Sequence, residues 1–176
     1  MSHHRPTLGI IVMPLLLWAL GCGESAPLTA KAVLKNSQGG IVGEARLTET
    51  PKGVKIELKG EKLPPGEHAF HIHEKAACTP PDFTDAGGHF NPFGKEHGLK
   101  NPKGPHAGDL PNITVNSDGK AVFETLAALV TLKPGEKNSL LQPGGASLMI
   151  HAHPDDMVSD PAGHAGPRIA CGAITR

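Results

Sequence analysis

His71 and His73 stand two residues apart in the run His-Ala-Phe-His-Ile-His-Glu at 68–74. Side chains of a β-strand alternate between its faces, so the two imidazoles would share one face and Phe70 and Ile72 the other. One face could grip a metal ion while the other closes a core. A second set follows at His89, His97, His106 and Asp109. Three imidazoles and one carboxylate suit tetrahedral Zn²⁺. All four fall within 74–112, a stretch dense in Gly, Pro and His and without sustained periodicity. A loop this long inside a compact domain is either disordered or functional. A metal clip there would stand in for the hydrophobic burial the loop lacks.

These residues need a frame, and the flanking sequence supplies short strands. Residues 28–36, 41–49 and 54–59 read as three strands joined by Ser37-Gln38-Gly39-Gly40 and Thr50-Pro51-Lys52-Gly53, both good turn chemistry. Val54, Ile56 and Leu58 alternate with Lys55, Glu57 and Lys59, as a half-buried strand requires. Residues 113–115 and 121–125 flank a turn of the Asp-Gly kind at Asn116-Ser117-Asp118-Gly119-Lys120. Residues 126–132 read as a further strand, 146–152 as a buried strand carrying His151, and 168–175 as the last. No stretch holds a helical period beyond a turn or two. The expected fold is all-β: a Greek-key antiparallel sandwich or flattened barrel of about eight strands, with two long functional loops at 74–112 and 153–167.

Composition narrows the class. The 176 residues carry 17 basic and 17 acidic side chains, so no broad charge invites nucleic acid. Residues 1–7 are polar with Arg5, and 8–20 are almost wholly apolar, the pattern of a secretory signal. Ala19-Leu20-Gly21-Cys22 resembles a bacterial lipobox, with Leu20 departing from the usual small residue. The expected organisation is a signal peptide at 1–21 cleaved before a lipidated Cys22, a tether at 22–27 and a single domain at 28–176. The chain would be exported to the periplasm or cell envelope and touch the membrane only through that lipid. In an oxidising compartment Cys78 and Cys171 remain as a pair.

Six ordered stretches carry a family resemblance. They are His-Ala-Phe-His-Ile-His-Glu at 68–74, Gly-Gly-His-Phe-Asn-Pro at 87–92, Glu-His-Gly at 96–98, His-Ala-Gly-Asp-Leu-Pro-Asn at 106–112, Met-Ile-His-Ala-His-Pro-Asp-Asp at 149–156 and Gly-Pro-Arg-Ile-Ala-Cys-Gly at 166–172. Over residues 28–176 the chain resembles the copper/zinc superoxide dismutases. The resemblance implies one copper and one zinc per chain. His71, His73, His89 and His151 would bind copper, and His89, His97, His106 and Asp109 would bind zinc. His89 would bridge the two ions. Asp155 would link His71 to His97, Arg168 would stand over the open copper position, and Cys78–Cys171 would be an intrachain disulfide. The implied reaction is dismutation of superoxide, with His89 and Arg168 as the catalytic side chains. The resemblance allows a homodimer without choosing its surface.

The chain also departs from the family's usual pattern. Residues 153–167 contain no lysine and carry Asp155, Asp156 and Asp160, so anion steering from this loop should be weak. His68 is expected to bond loop backbone, Met149 to be a strand residue, and His153 and His164 to be solvated. A zinc hydrolase would keep one zinc position open for water. The closed His₃Asp set and the second histidine cluster argue against it. A metal-holding relative without activity would have lost a copper histidine or the arginine, and neither is lost.

Overall fold

The computed structural model describes residue 1 and residues 26–176. The expected signal segment, its cleavage site and Cys22 lie outside the described residues. Among the described residues nine strands follow one another: β1 (Thr29–Asn36), β2 (Ile41–Thr50), β3 (Gly53–Gly60), β4 (Gly66–His68), β5 (Phe70–His73), β6 (Ile113–Val115), β7 (Ala121–Ala127), β8 (Ser147–His151) and β9 (Arg168–Thr175). Seven form one antiparallel sheet in the order β5-β8-β9-β1-β2-β3-β7, and β4 pairs with β6 in a second, small sheet. The expected all-β class holds.

Alternation builds the core. Ala30, Ala32 and Leu34 of β1 point inward while Lys31 and Lys35 face solvent. Val54, Ile56 and Leu58 do the same on β3. Phe70 and Ile72 of the histidine run join this core, and Phe70 meets Phe123 edge to face at 6.0 Å. A smaller cluster of Phe83, Ala86, Met149 and Cys171, with Cys78 beside it, lies under the loop after β5. Met149 is therefore a packed strand residue, as expected.

Two expected strands come out differently. The histidine run is broken at Ala69, whose N–H donates to the His153 carbonyl and whose carbonyl accepts from the His151 N–H. The chain turns a corner there, so β4 pairs β6 while β5 pairs β8. Residues 126–132 do not form a separate strand. β7 ends at Ala127, opposite Val54, because β3 begins at Gly53 and offers no further partner. The chain beyond is held by Glu49 instead, whose carboxylate accepts from Thr131 Oγ1 at 2.8 Å and Leu132 N at 2.6 Å.

Candidate metal centre

β5 and β8 pair with His71 opposite Met149 and His73 opposite Ser147. This register sets the imidazoles of His71 and His73 on the face away from Phe70 and Ile72. The loop after β5 returns along the same edge, with bridges from His73 to His89 and from His71 to Asp109. His151, at the end of β8, completes the group, and the ring centroids of His71 and His89 lie 4.0 Å apart. One ligand atom from each of His71, His73, His89 and His151 falls within 4.8 Å of the others, and all four residues are buried.

Hydrogen bonds fix the tautomers. His71 Nε2–H donates to Asp155 Oδ2 at 2.8 Å, His73 Nδ1–H to the Gly87 carbonyl at 3.0 Å, and His151 Nδ1–H to the Gly166 carbonyl at 3.1 Å. Each ring keeps one lone pair free. Those nitrogens, His71 Nδ1, His73 Nε2 and His151 Nε2, are buried and without a partner, as is His89 Nε2. Buried polar atoms are normally satisfied, so four such nitrogens in one group point to an ion as their common partner. An all-imidazole set suits Cu(II).

The other nitrogen of His89 belongs to the second set. Asp109 Oδ1 lies 2.9 Å from His89 Nδ1, 3.0 Å from His97 Nδ1 and 3.3 Å from His106 Nδ1. Its other oxygen accepts the backbone N–H groups of Gly98 and His106 at 2.8 and 2.9 Å, which holds the carboxylate in place. These four side chains have the donor set and spacing to hold zinc.

Asp155 ties the two sets together, reaching His71 with Oδ2 and His97 Nε2 with Oδ1 at 3.0 Å. Two features outside the ligand pattern hold it there. Asn112 clamps its backbone, accepting from Asp155 N at 2.9 Å and donating to Asp155 O at 3.0 Å. Gly163 lies so close that a Cβ would overlap Asp155 Oδ1. Asn112 stands in a stretch singled out in the sequence, yet nothing local shows that it faces a loop 43 residues away.

The other two acids of the 153–167 loop are hydrogen-bonded while remaining exposed. Asp160 accepts the His97 N–H at 2.7 Å. Asp156 accepts from Val158 N and Ser159 N and pairs with His164 at 2.9 Å. His153 and His164 are exposed, as expected. His68 bonds only backbone, the carbonyls of His151 and Pro64, at 2.9 and 2.8 Å.

Arg168 opens β9 half-buried and donates through Nη1 to the Phe83 carbonyl and through Nη2 to the Gly87 carbonyl. Gly87 O thus receives both Arg168 and His73. Cys78 and Cys171 form the disulfide, across a sequence separation of 93. It fastens the loop carrying Phe83 and Gly87 to the strand carrying Arg168.

Burial sets the charge state of the metal-free site. It pushes His73 down to about 2, helped by His89, and His151 down to about 3, helped by His71. Burial also takes His89 down to about 4, partly opposed by Asp109. Burial lowers His97 too, but the carboxylates of Asp109 and Asp155 outweigh it and raise the ring to about 9. The unfolded chain protonates all four near the ordinary value of about 6.5. The three depressed histidines contribute stability above that pH and lose it as pH falls toward their folded values. His97 contributes below it and loses its contribution as pH rises through about 9. The melting temperature of metal-free protein should therefore fall on acidification below about 6.5 and also decline toward pH 9. Calorimetry across that range checks this, and a flat profile from 4 to 9 would contradict it.

Residues 41–174 match the family model described as copper/zinc superoxide dismutase. A protein named superoxide dismutase [Cu-Zn] 2 from Aquifex aeolicus is 53% identical over 167 residues, covering 94% of this chain and 96% of its own. The crystal structure of a superoxide-dismutase-like protein from Bacillus subtilis superimposes with a TM-score of 0.79 at 43% identity, covering 81% of this chain and 96% of that one. The Cu/Zn superoxide dismutase of Brucella abortus gives 0.67 at 32% identity, over 83% of this chain and 99% of that one. The fold is thus shared with a protein titled Cu/Zn superoxide dismutase, and this chain belongs to the copper/zinc superoxide dismutase family.

Proposed function

We propose that His71, His73, His89 and His151 hold copper, that His89, His97, His106 and Asp109 hold zinc, and that His89 bridges the two ions. The observation that carries this reading is the group of four orphaned ring nitrogens beside an Asp109-centred set that shares His89. The reaction is 2 O₂⁻ + 2 H⁺ → O₂ + H₂O₂. Bound copper would supply the redox chemistry, cycling between Cu(II) and Cu(I), while zinc has none.

The chain's own residues bind, orient and move protons. Arg168 spends two of its N–H groups on the Phe83 and Gly87 carbonyls. The guanidinium's remaining donors can hold a small anion. His89 has one nitrogen toward each metal set, so its Nε2 can take a proton and pass it to the departing peroxide. Asp155 keeps the tautomers of His71 and His97 fixed, because both rings donate to it.

Residues 1–21 direct export, and cleavage before Cys22 leaves a lipid anchor with residues 22–27 as a tether for the domain at 28–176. The enzyme then meets superoxide in the periplasm or cell envelope and protects that compartment. A homodimer is compatible with this placement.

Metal analysis and a superoxide assay on residues 23–176, prepared with both metals supplied, test the reading. About one copper and one zinc per chain with dismutase activity is the expected result. Stoichiometric metal without activity would shift the reading to a metal-holding protein. A salt titration of kcat/KM tests the steering. The 153–167 loop carries no lysine, and its Asp156 and Asp160 carboxylates stay exposed and negative. The salt dependence should therefore be shallower than in relatives with lysines in that loop. An equally steep slope would contradict this.

A further inference from the structure

Glu74 is exposed and belongs to neither metal set, yet its side chain closes on the one peptide group that serves both His73 and Arg168. The N–H of Gly88 donates to Glu74 Oε1 at 3.2 Å, while the N–H of Glu74 donates to Gly88 O at 3.0 Å. The peptide between Gly87 and Gly88 ends, on its other side, in the Gly87 carbonyl. That oxygen accepts His73 Nδ1 at 3.0 Å and Arg168 Nη2 at 2.6 Å. Position 87 has φ +75°, and a Cβ there would overlap the Glu74 carboxylate. Glycine thus lets the carboxylate lie flat against this turn. His89 follows immediately.

We propose that Glu74 is a positioning residue for copper ligation and anion binding, acting through the Gly87–Gly88 peptide. This inference rests on the copper reading given above. A carboxylate accepting an amide N–H polarises the peptide and strengthens its carbonyl as an acceptor. The same bond fixes the direction of that carbonyl. A correctly aimed Gly87 carbonyl keeps the His73 proton on Nδ1, leaves Nε2 free for metal, and holds Arg168 at the anion position.

The test compares Glu74→Ala and Glu74→Gln, both on the surface. Azide serves as the anion probe of the copper-loaded protein, with the Cu(II) electron paramagnetic resonance spectrum as a second readout. Loss of one charge-assisted hydrogen bond should weaken azide binding about five- to tenfold in Glu74→Ala and alter the spectrum. Glu74→Gln, which keeps an oxygen acceptor, should stay within about twofold of the parent. In metal-free protein the Gly88 amide, at an exposed residue, should exchange about tenfold faster in Glu74→Ala. Unchanged azide affinity and spectrum in Glu74→Ala would overturn the inference, as would equal losses in both variants. If the parent chain takes up no copper, the copper reading itself fails. The exchange rate of Gly88 then decides whether Glu74 holds this turn, and an unchanged rate removes the role.

Discussion

Replacing His151 with alanine is expected to lower copper content and dismutase activity more than about a hundredfold while leaving zinc near one per chain. His151 supplies one of the four orphaned nitrogens and lies outside the Asp109-centred set. Its Nδ1–H is committed to Gly166 O, so Nε2 is the nitrogen lost to the metal. His89→Ala should behave differently. That ring offers Nδ1 to the Asp109 set and Nε2 to the other, so both metal contents should fall together. Residues 74–112 are packed through Phe83, Ala86, Phe90 and Leu110 but would lose the metal clip, and the melting temperature should drop with the metals. Elemental analysis, a superoxide assay and calorimetry on the two variants separate these effects. Full zinc retention in His89→Ala, or equal zinc loss in both, would refute the shared-ligand arrangement.

Removing the disulfide is expected to be the largest purely structural change. Cys78 and Cys171 close a loop with a sequence separation of 93. The chain-entropy model assigns about 4–5 kcal/mol to a loop of that order. For a domain of this size that corresponds to a melting temperature lower by roughly 10–20 °C. Cys171 also packs with Phe83, Ala86 and Met149, so a Cys78→Ala/Cys171→Ala pair adds lost packing to the lost cross-link. The functional consequence follows from Phe83 and Gly87, whose carbonyls hold Arg168. Once the loop is released, the guanidinium loses its fixed aim, and azide affinity should fall along with the melting temperature. Calorimetry with and without reductant, together with azide titration, checks both. A loss of stability with undiminished azide binding would show that Arg168 is positioned independently of the disulfide.

The ligand chemistry was legible in the chain because its signal is short. Two histidines at strand spacing and four donors on one loop without periodicity are visible without knowing where any strand lies, whereas the burial of Phe83, Phe90 and Leu110 from that loop is not. Their physical meaning follows from the period of a strand and the preferences of zinc. The strands of the sheet were equally legible where alternation is strict, as at Val54, Ile56 and Leu58. Alternation failed where partners decide. The run at 68–74 has one continuous pattern, yet Ala69 sits between backbone groups of His151 and His153 and splits it into two strands in two sheets. Residues 126–132 are apolar enough for a strand, but β3 runs out of residues to pair beyond Ala127. No local propensity records the length of a neighbour.

The sequence by itself determined the class of fold, the strand-spaced pair His71 and His73, and the four donors gathered on the 74–112 loop. Only the tertiary structure decided which nitrogen of each histidine is free, because that depends on carbonyls and carboxylates brought from 14 to 84 residues away. It also decided the fate of the three acids in the 153–167 loop. As sequence they are negative charges beside an anion path, and as structure they bridge His71 and His97, close a turn, or accept the His97 amide. Asn112 and Glu74 gain their positions in the same way. Hydrogen bonds to backbone are blind to residue type along the chain, so their partners become visible only when the loops are folded against one another.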